Sequence, residues 1–192
     1  MVAIVECGKK IDNKLPEVLG FLNQEFKITE NEFTICKADK IILIGEGEAC
    51  EGAKKLNMLN LYSVLRVIKK PILGIDLGME LMTENILNDN IAGLGIFPYK
   101  SERKENDTEP EGTFKEVDII GSSILFNNIE DHSKFLFKEK YFMNLNEMST
   151  SSADNGSRFT ASIEKGKAYG VQFHPEVSGE PGITLIKNFL DS

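Results

Sequence analysis

Tryptophan is absent from this 192-residue chain, and histidine occurs only twice, at His132 and His174. Two histidines exclude a histidine-rich metal site, and no metal or cofactor is expected. The three cysteines, Cys7, Cys36 and Cys50, are an odd number in no disulfide or zinc spacing, which suits a reducing, cytoplasmic setting. No apolar run reaches the roughly 18 residues a membrane helix needs. The start, Met1-Val2-Ala3-Ile4-Val5-Glu6, lacks the basic segment that opens a signal peptide. Positive charge is in deficit: 22 Lys and Arg against 30 Asp and Glu, a formal net charge of −8. Nucleic acid is therefore not expected as a partner, because its phosphates would be repelled. No repeat interrupts the chain, and its 41% hydrophobic content suffices for one core without covalent staples. The organisation expected is one domain over residues 1–192.

What is present is an alternation of strand and helix signals. Short apolar or β-branched runs at Val2–Glu6, Phe33–Cys36, Lys40–Ile44 and Pro71–Ile75 predict parallel strands buried on both faces. Helical spacing predicts helices over Asn13–Asn23 and Gly52–Lys69, the latter with Leu56, Leu59, Val64 and Val67-Ile68 as its buried stripe. A third helix is expected over Gly78–Leu87. Ser101–Gly112 is charged and reads as an exposed loop. Further strands are expected at Val117–Ile120, Ile124–Phe126, Tyr141–Leu145, Arg158–Ser162 and Ala168–Phe173, some of them antiparallel, before a last helix over Gly182–Leu190. The fold class is α/β, a doubly wound layer sandwich on a mixed sheet, with its site at the carboxyl ends of the strands.

One segment carries a sharper signal. After the apolar Ile72-Leu73, the run Gly74-Ile75-Asp76-Leu77-Gly78 has the glycine spacing of a nucleophile elbow, a sharp strand-to-helix turn that holds its central side chain above the sheet. Such a turn ordinarily presents Ser or Cys; here it presents Asp76. About a hundred residues later, Gln172-Phe173-His174-Pro175-Glu176 offers a general base and a carboxylate to orient it.

The elbow and the Gln-Phe-His-Pro-Glu segment resemble those of class I glutamine amidotransferases, whose elbow carries Cys in a Gly-Ile-Cys-Leu-Gly-Met-Gln run. Ala38-Asp39-Lys40-Ile41-Ile42-Leu43 leading into Gly45-Glu46-Gly47, then Gly93-Leu94-Gly95-Ile96-Phe97-Pro98 and Leu185-Ile186-Lys187-Asn188-Phe189-Leu190, are similar to one branch of that family. That branch is the glutaminase subunit of imidazole glycerol phosphate synthase, of histidine biosynthesis. The resemblance runs in order along nearly the whole chain. It implies glutamine as substrate and a (β/α)8 synthase as partner.

The chain departs from that pattern at several positions. Asp76 stands where the resemblance puts the nucleophilic thiolate, and a carboxylate is a far weaker nucleophile toward an amide. The oxyanion turn, a Pro-Gly-Val-Gly run in the family, is Gly45-Glu46-Gly47 followed by Glu48, which puts negative charge where an oxyanion would develop. The Gln that follows Gly-Met is Glu80, an acceptor only, which would repel a glutamine carboxylate; its bland reading is a solvated helix residue. Ile119–Ser123 and Tyr141–Asn144 replace runs that bear Trp and His near the family's docking face, and Val177 stands where Lys is usual. Only His174 and Glu176 carry over as catalytic positions.

These departures argue against glutamine binding and glutaminase activity, and they predict a pseudoenzyme or partner subunit. The alternative is a hydrolase using Asp76 as nucleophile with His174 and Glu176. The two readings differ at His174, which is expected to be cationic between Asp76 and Glu176 in the first and must be neutral in the second. Cys7 and Cys50 read as packing residues, and His132 as a surface residue.

Overall fold

The chain's buried strands fall where its apolar runs do not alternate, because both of their faces are covered. The computed structural model describes residues 1–8, 14–87, 89–103, 112–138 and 140–192. In chain order its first half is β1 (Val2–Gly8), α1 (Leu15–Phe21), β2 (Phe26–Ile28), α2 (Glu32–Lys37), β3 (Lys40–Glu46), α3 (Ala49–Met58), α4 (Leu61–Val67), β4 (Ile72–Asp76) and α5 (Leu77–Leu81). Three short strands follow, β5 (Asn85–Ile86), β6 (Ile91–Ala92) and β7 (Lys100–Arg103). The second half is β8 (Thr113–Ile119), β9 (Ser133–Phe137), β10 (Tyr141–Phe142), β11 (Ser149–Asp154), β12 (Arg158–Lys165), β13 (Ala168–Val171), β14 (Phe173–His174) and α6 (Gly179–Asp191).

Ten strands form one mixed sheet in the order β14-β9-β8-β11-β12-β13-β4-β3-β1-β2. The segment from β13 to β2 is parallel, and the rest pairs antiparallel. The sheet curls, which brings Phe173 of β14 against Phe135 and Phe137 of β9, with ring centroids 4.2 and 5.5 Å away. A small second sheet runs β10-β7-β5-β6. Alternate residues of the parallel strands feed two separate cores. Val5, Cys7, Ile41 and Leu43 pack with α3, α4 and α5 on one face, whereas Ile4, Ile42, Ile44 and Ile75 pack with α1, α6 and the phenylalanines on the other. That is a three-layer α/β arrangement, with helices on both sides of a mostly parallel centre.

The register sets the site. Cys7 pairs with Gly45, and Gly45 pairs with Asp76, so the carboxyl ends of β1, β3 and β4 lie level. Gly45 and Gly78 are glycines for lack of room: a Cβ on Gly45 would stand 1.9 Å from the Cys7 carbonyl oxygen, and one on Gly78 1.9 Å from that of Leu43.

Several expected elements differ. Phe33–Cys36 is helix, not strand: Asn31 Oδ1 accepts from the Thr34 amide at 3.0 Å and caps α2, leaving Phe33 65% exposed. Gly52–Lys69 is two helices, broken at Asn60, whose left-handed φ of 57° ends the first. The helix after the elbow stops at Leu81, and Asn85–Ile86 turns into strand. Ile124–Phe126 is a 3-10 turn capped by Ser123 Oγ, and Tyr141–Leu145 is strand only as far as Phe142. The Ser101–Gly112 loop begins as strand β7, and its residues 104–111 lie outside the described residues. The Asn13–Asn23 helix begins at Leu15, with residue 13 likewise outside. Among the described residues, no helix is long and apolar enough to cross a membrane.

Candidate functional site

Asp76 sits where β4 passes into α5, with φ 48° and ψ −116°, a conformation that costs a non-glycine residue on the order of 1–3 kcal/mol. The cost is sustained by neighbours that leave no alternative path: β3 on one side, and the close approach of Gly78 to the Leu43 carbonyl on the other. The residue is 6% exposed. It does not cap α5, a helix of only five residues. Instead, its Oδ1 accepts a hydrogen bond from Gln172 Nε2 at 3.3 Å, and its Oδ2 lies 3.6 Å from His174 Nε2.

His174, at the end of β14, is 1% exposed and forms the centre of a charged cluster. Its Nδ1 is 2.8 Å from Glu176 Oε1, a carboxylate held on the 3-10 turn Pro175–Val177. Its Nε2 faces both Asp76 and, at 3.7 Å, Glu46 Oε1. Burial pushes the imidazole's pKa down. The contacts with Asp76 and Glu176 push it up more strongly, and the balance is a rise from 6.5 to about 10. With Asp76, Glu176 and Glu46 around it, the cationic form of His174 is the favoured one.

The glutamates of the turn after β3 are neutralised from far along the chain. Glu46 pairs with Lys138 at 3.1 Å. Glu48 takes both guanidinium nitrogens of Arg103, at 2.8 and 3.2 Å, and the ammonium of Lys140 at 3.2 Å. Burial raises the Glu48 pKa, but these cations outweigh it and hold the carboxyl below its usual range. Tyr141 completes the cluster: its hydroxyl donates to Asp89 at 2.6 Å and accepts from the Ala49 amide at 3.0 Å. The Gly45-Glu46-Gly47-Glu48 turn is thus tied to both β7 and β10 of the small sheet.

Asp76, His174 and Glu176 therefore meet in one buried cluster, with the partly exposed Glu46 at its edge. Gly45 lies beside Asp76, and Gly47, with φ 106°, lets the chain turn away from the sheet. Glu80 is 0% exposed in α5, so it is not a solvated helix residue. Cys7 is buried next to the cluster, with its thiol pKa pushed up by burial and then by Asp76, so it is held as an unreactive thiol. Cys50 is exposed near the start of α3 and is not the packing residue expected. His132 is exposed and pairs with Asp118 at 2.9 Å. Gln172 and Lys138 went unassigned in the sequence. Gln172 belongs to the motif that carries His174, but Lys138 bears no local signal.

Thus the site joins a retained elbow, a cationic histidine and carboxylates, on a sheet covered by helices. The family model for glutamine amidotransferase class-I matches residues 3–192. The chain belongs to that family. More particularly, it is 36% identical over 193 residues to the imidazole glycerol phosphate synthase subunit HisH of Haemophilus influenzae, covering 99% of this chain and 96% of that protein. To the HisH of Photorhabdus laumondii it is 31% identical over 198 residues, covering 99% and 98%. Solved structures agree on the fold. A glutamine amidotransferase superposes with TM-score 0.77 at 16% identity, covering 99% of this chain and 97% of its own. Another, from Thermotoga maritima, superposes with TM-score 0.66 at 17% identity, covering 99% and 83%.

Proposed function

We propose that this chain is a HisH-like subunit that no longer hydrolyses glutamine and acts as a pseudoenzyme beside a synthase-type partner, with residues 1–192 as one domain. The observation that carries this reading is Asp76 at the elbow, locked to a buried, cationic His174. Thiolate chemistry needs a sulfur at that turn. A carboxylate stands there instead, and its contact with His174 favours the charged imidazole. The glutamates of the 46–48 turn, held in ion pairs with Lys138, Arg103 and Lys140, and the buried Glu80 stand where the family's oxyanion and substrate would lie, and this supports loss of glutamine binding. The HisH relatives are named as subunits of imidazole glycerol phosphate synthase. That supports a second subunit for this chain; a (β/α)8 fold for that subunit, a place in histidine biosynthesis and a cytoplasmic setting are part of the proposal.

The hydrolase alternative would need His174 to activate water on an Asp76 ester. In the resting site the contacts with Asp76 and Glu176 favour the imidazolium, which does not poise the histidine for that step.

Release of glutamate from glutamine, with and without a purified (β/α)8 synthase subunit, tests the reading. Turnover is expected to lie roughly 10³-fold or more below that of a working amidotransferase, the scale of losing a catalytic nucleophile. Asp76→Cys alone is expected not to restore full activity, because Glu46 and Glu80 remain. Ordinary turnover in the unaltered protein, or full rescue by that one change, overturns it.

A further inference from the structure

We propose that the opposite end of the sheet carries a binding site for a small phosphorylated metabolite, independent of the amidotransferase-like site. The site is a hollow of about 400 Å³ at the amino ends of β4 and β13, where Ile72 pairs with Ala168. Four residues of strand rise, about 13 Å, separate Ile72 from Asp76. Ligands in folds of this class ordinarily bind at the carboxyl ends of the strands, so the fold itself does not call for a site here.

The charge around the hollow runs against the rest of the molecule. The chain has a net charge of −8. Yet Arg66, Lys69, Lys70, Lys165 and Lys167 all line the hollow, and no acidic residue does. Two of these cations have structural work. Lys70 donates to the carbonyls of Cys36 and Ala38 beyond α2, and Lys165 donates to the Ile96 carbonyl at 2.9 Å, closing one wall. Lys70 also lies close enough to Asp39 to help hold its carboxyl below the usual range. Arg66, Lys69 and Lys167 are exposed, and among the described residues none of them pairs with a carboxylate. An anion bound in the hollow would supply the counter-charge they lack.

The shape narrows the ligand further. Ile72 is buried in the floor, and Ile68 and Ile96 flank it half-buried, so the hollow offers an apolar base beneath a ring of cations. Its volume is that of a small-molecule pocket. An anion with an apolar or planar body satisfies both features, and the planar guanidinium of Arg66 matches two phosphate oxygens at once. A phosphate monoester of nucleotide size meets these requirements.

AMP is a suitable probe, with inorganic phosphate and citrate as comparisons, read by amide chemical shifts in two-dimensional NMR. Saturable binding of AMP is expected, with shifts confined to residues 66–72, 95–96 and 165–168, and tighter than either comparison anion. The double variant K69E/K167E is expected to weaken AMP at least tenfold, or about 1.4 kcal/mol. Arg66→Gln is expected to weaken it while leaving the spectrum folded, and Lys27→Glu, on a distant edge, to leave it unchanged. No saturable shift, equal binding of all three anions, or AMP binding unaffected by K69E/K167E overturns the proposal. Shifts spread over a longer surface on titration with single-stranded oligonucleotide, but not with AMP, overturn it in favour of a polymer.

Discussion

Replacing Asp76 by Asn keeps the side chain's shape and removes one of the carboxylates that hold His174 as a cation. In the unaltered protein the imidazole's pKa rises from 6.5 to about 10, a displacement worth roughly 5 kcal/mol. Because that pKa is raised on folding, the stability it contributes is fully present below about 6.5 and is lost as pH climbs through about 10. Asp76 lies 3.6 Å from Nε2, whereas Glu176 remains at 2.8 Å from Nδ1 and Glu46 at 3.7 Å. Removing Asp76 takes away only part of the rise, about one to three pH units. The variant is expected to lose its His174-linked stability at correspondingly lower pH. The imidazole C2 proton gives the measurement by NMR, and His132→Asn assigns the resonances, since the chain holds two histidines. Urea unfolding at about pH 6 and about pH 9 gives the linked stability. A His174 titrating at or below about 6.5 in the unaltered protein, or a titration that Asp76→Asn leaves in place, refutes the ion cluster and returns the histidine to service as a base.

Gly78→Ala is expected to cost more than about 3 kcal/mol or to abolish folding. The added Cβ would meet the Leu43 backbone carbonyl at 1.9 Å, and α5 or β3 would have to shift to make room; thermal denaturation reads the loss. Phe173→Ala is expected to cost about 3–5 kcal/mol in urea unfolding, because the ring bridges Phe135 and Phe137 in a filled core. Ser162→Ala is expected to cost about 1–3 kcal/mol. Its hydroxyl serves Thr150 and Ser151 at 2.7 and 2.6 Å, and both are buried. A Ser162→Ala protein as stable as the parent shows that those hydroxyls find other partners.

The parallel centre was legible because its strands are short apolar runs bounded by turns, and β1, β3 and β4 lie close to their expected positions. The antiparallel half was harder, for reasons that particular residues make plain. β11, Ser149-Thr150-Ser151-Ser152-Ala153-Asp154, reads as a polar loop, yet its first five residues are buried. It is a strand because hydroxyls satisfy one another across to β12: Ser149 with Thr160 at 2.8 Å, Thr150 and Ser151 with Ser162. Such pairing is invisible until the partner strand is known. Phe33-Thr34-Ile35-Cys36 failed in the other direction. Its β-branched composition outweighed Asn31, a helix cap that stands in plain view two residues upstream. In the site, Asp76, His174 and Glu176 each announced themselves by local pattern. The cations that tame the 46–48 turn did not, because Lys138 and Lys140 lie 92 residues from their glutamates and Arg103 lies 55 from Glu48.

The elbow shows how an architectural motif can be separated from the side chain it presents. Gly45 and Gly78 are each set by a backbone carbonyl that a Cβ would strike, and both carbonyls belong to the strand pairing of β1 and β3. Those glycines serve the packing of the fold whatever chemistry the turn performs. Asp76, between Gly74 and Gly78, is not fixed by such a clash. It projects toward Gln172 and His174, and its identity alone decides whether the turn presents a thiolate or a carboxylate. Once a carboxylate stood there, a neutral imidazole would have left it buried beside Glu46 and Glu176 with no counter-charge, a far costlier state than an ion cluster. The charged form of His174 is favoured by Asp76, while Glu46 is neutralised separately by Lys138. Glycine spacing in such a turn therefore reports architecture, and the side chain it frames, read together with the charges packed against it, reports chemistry.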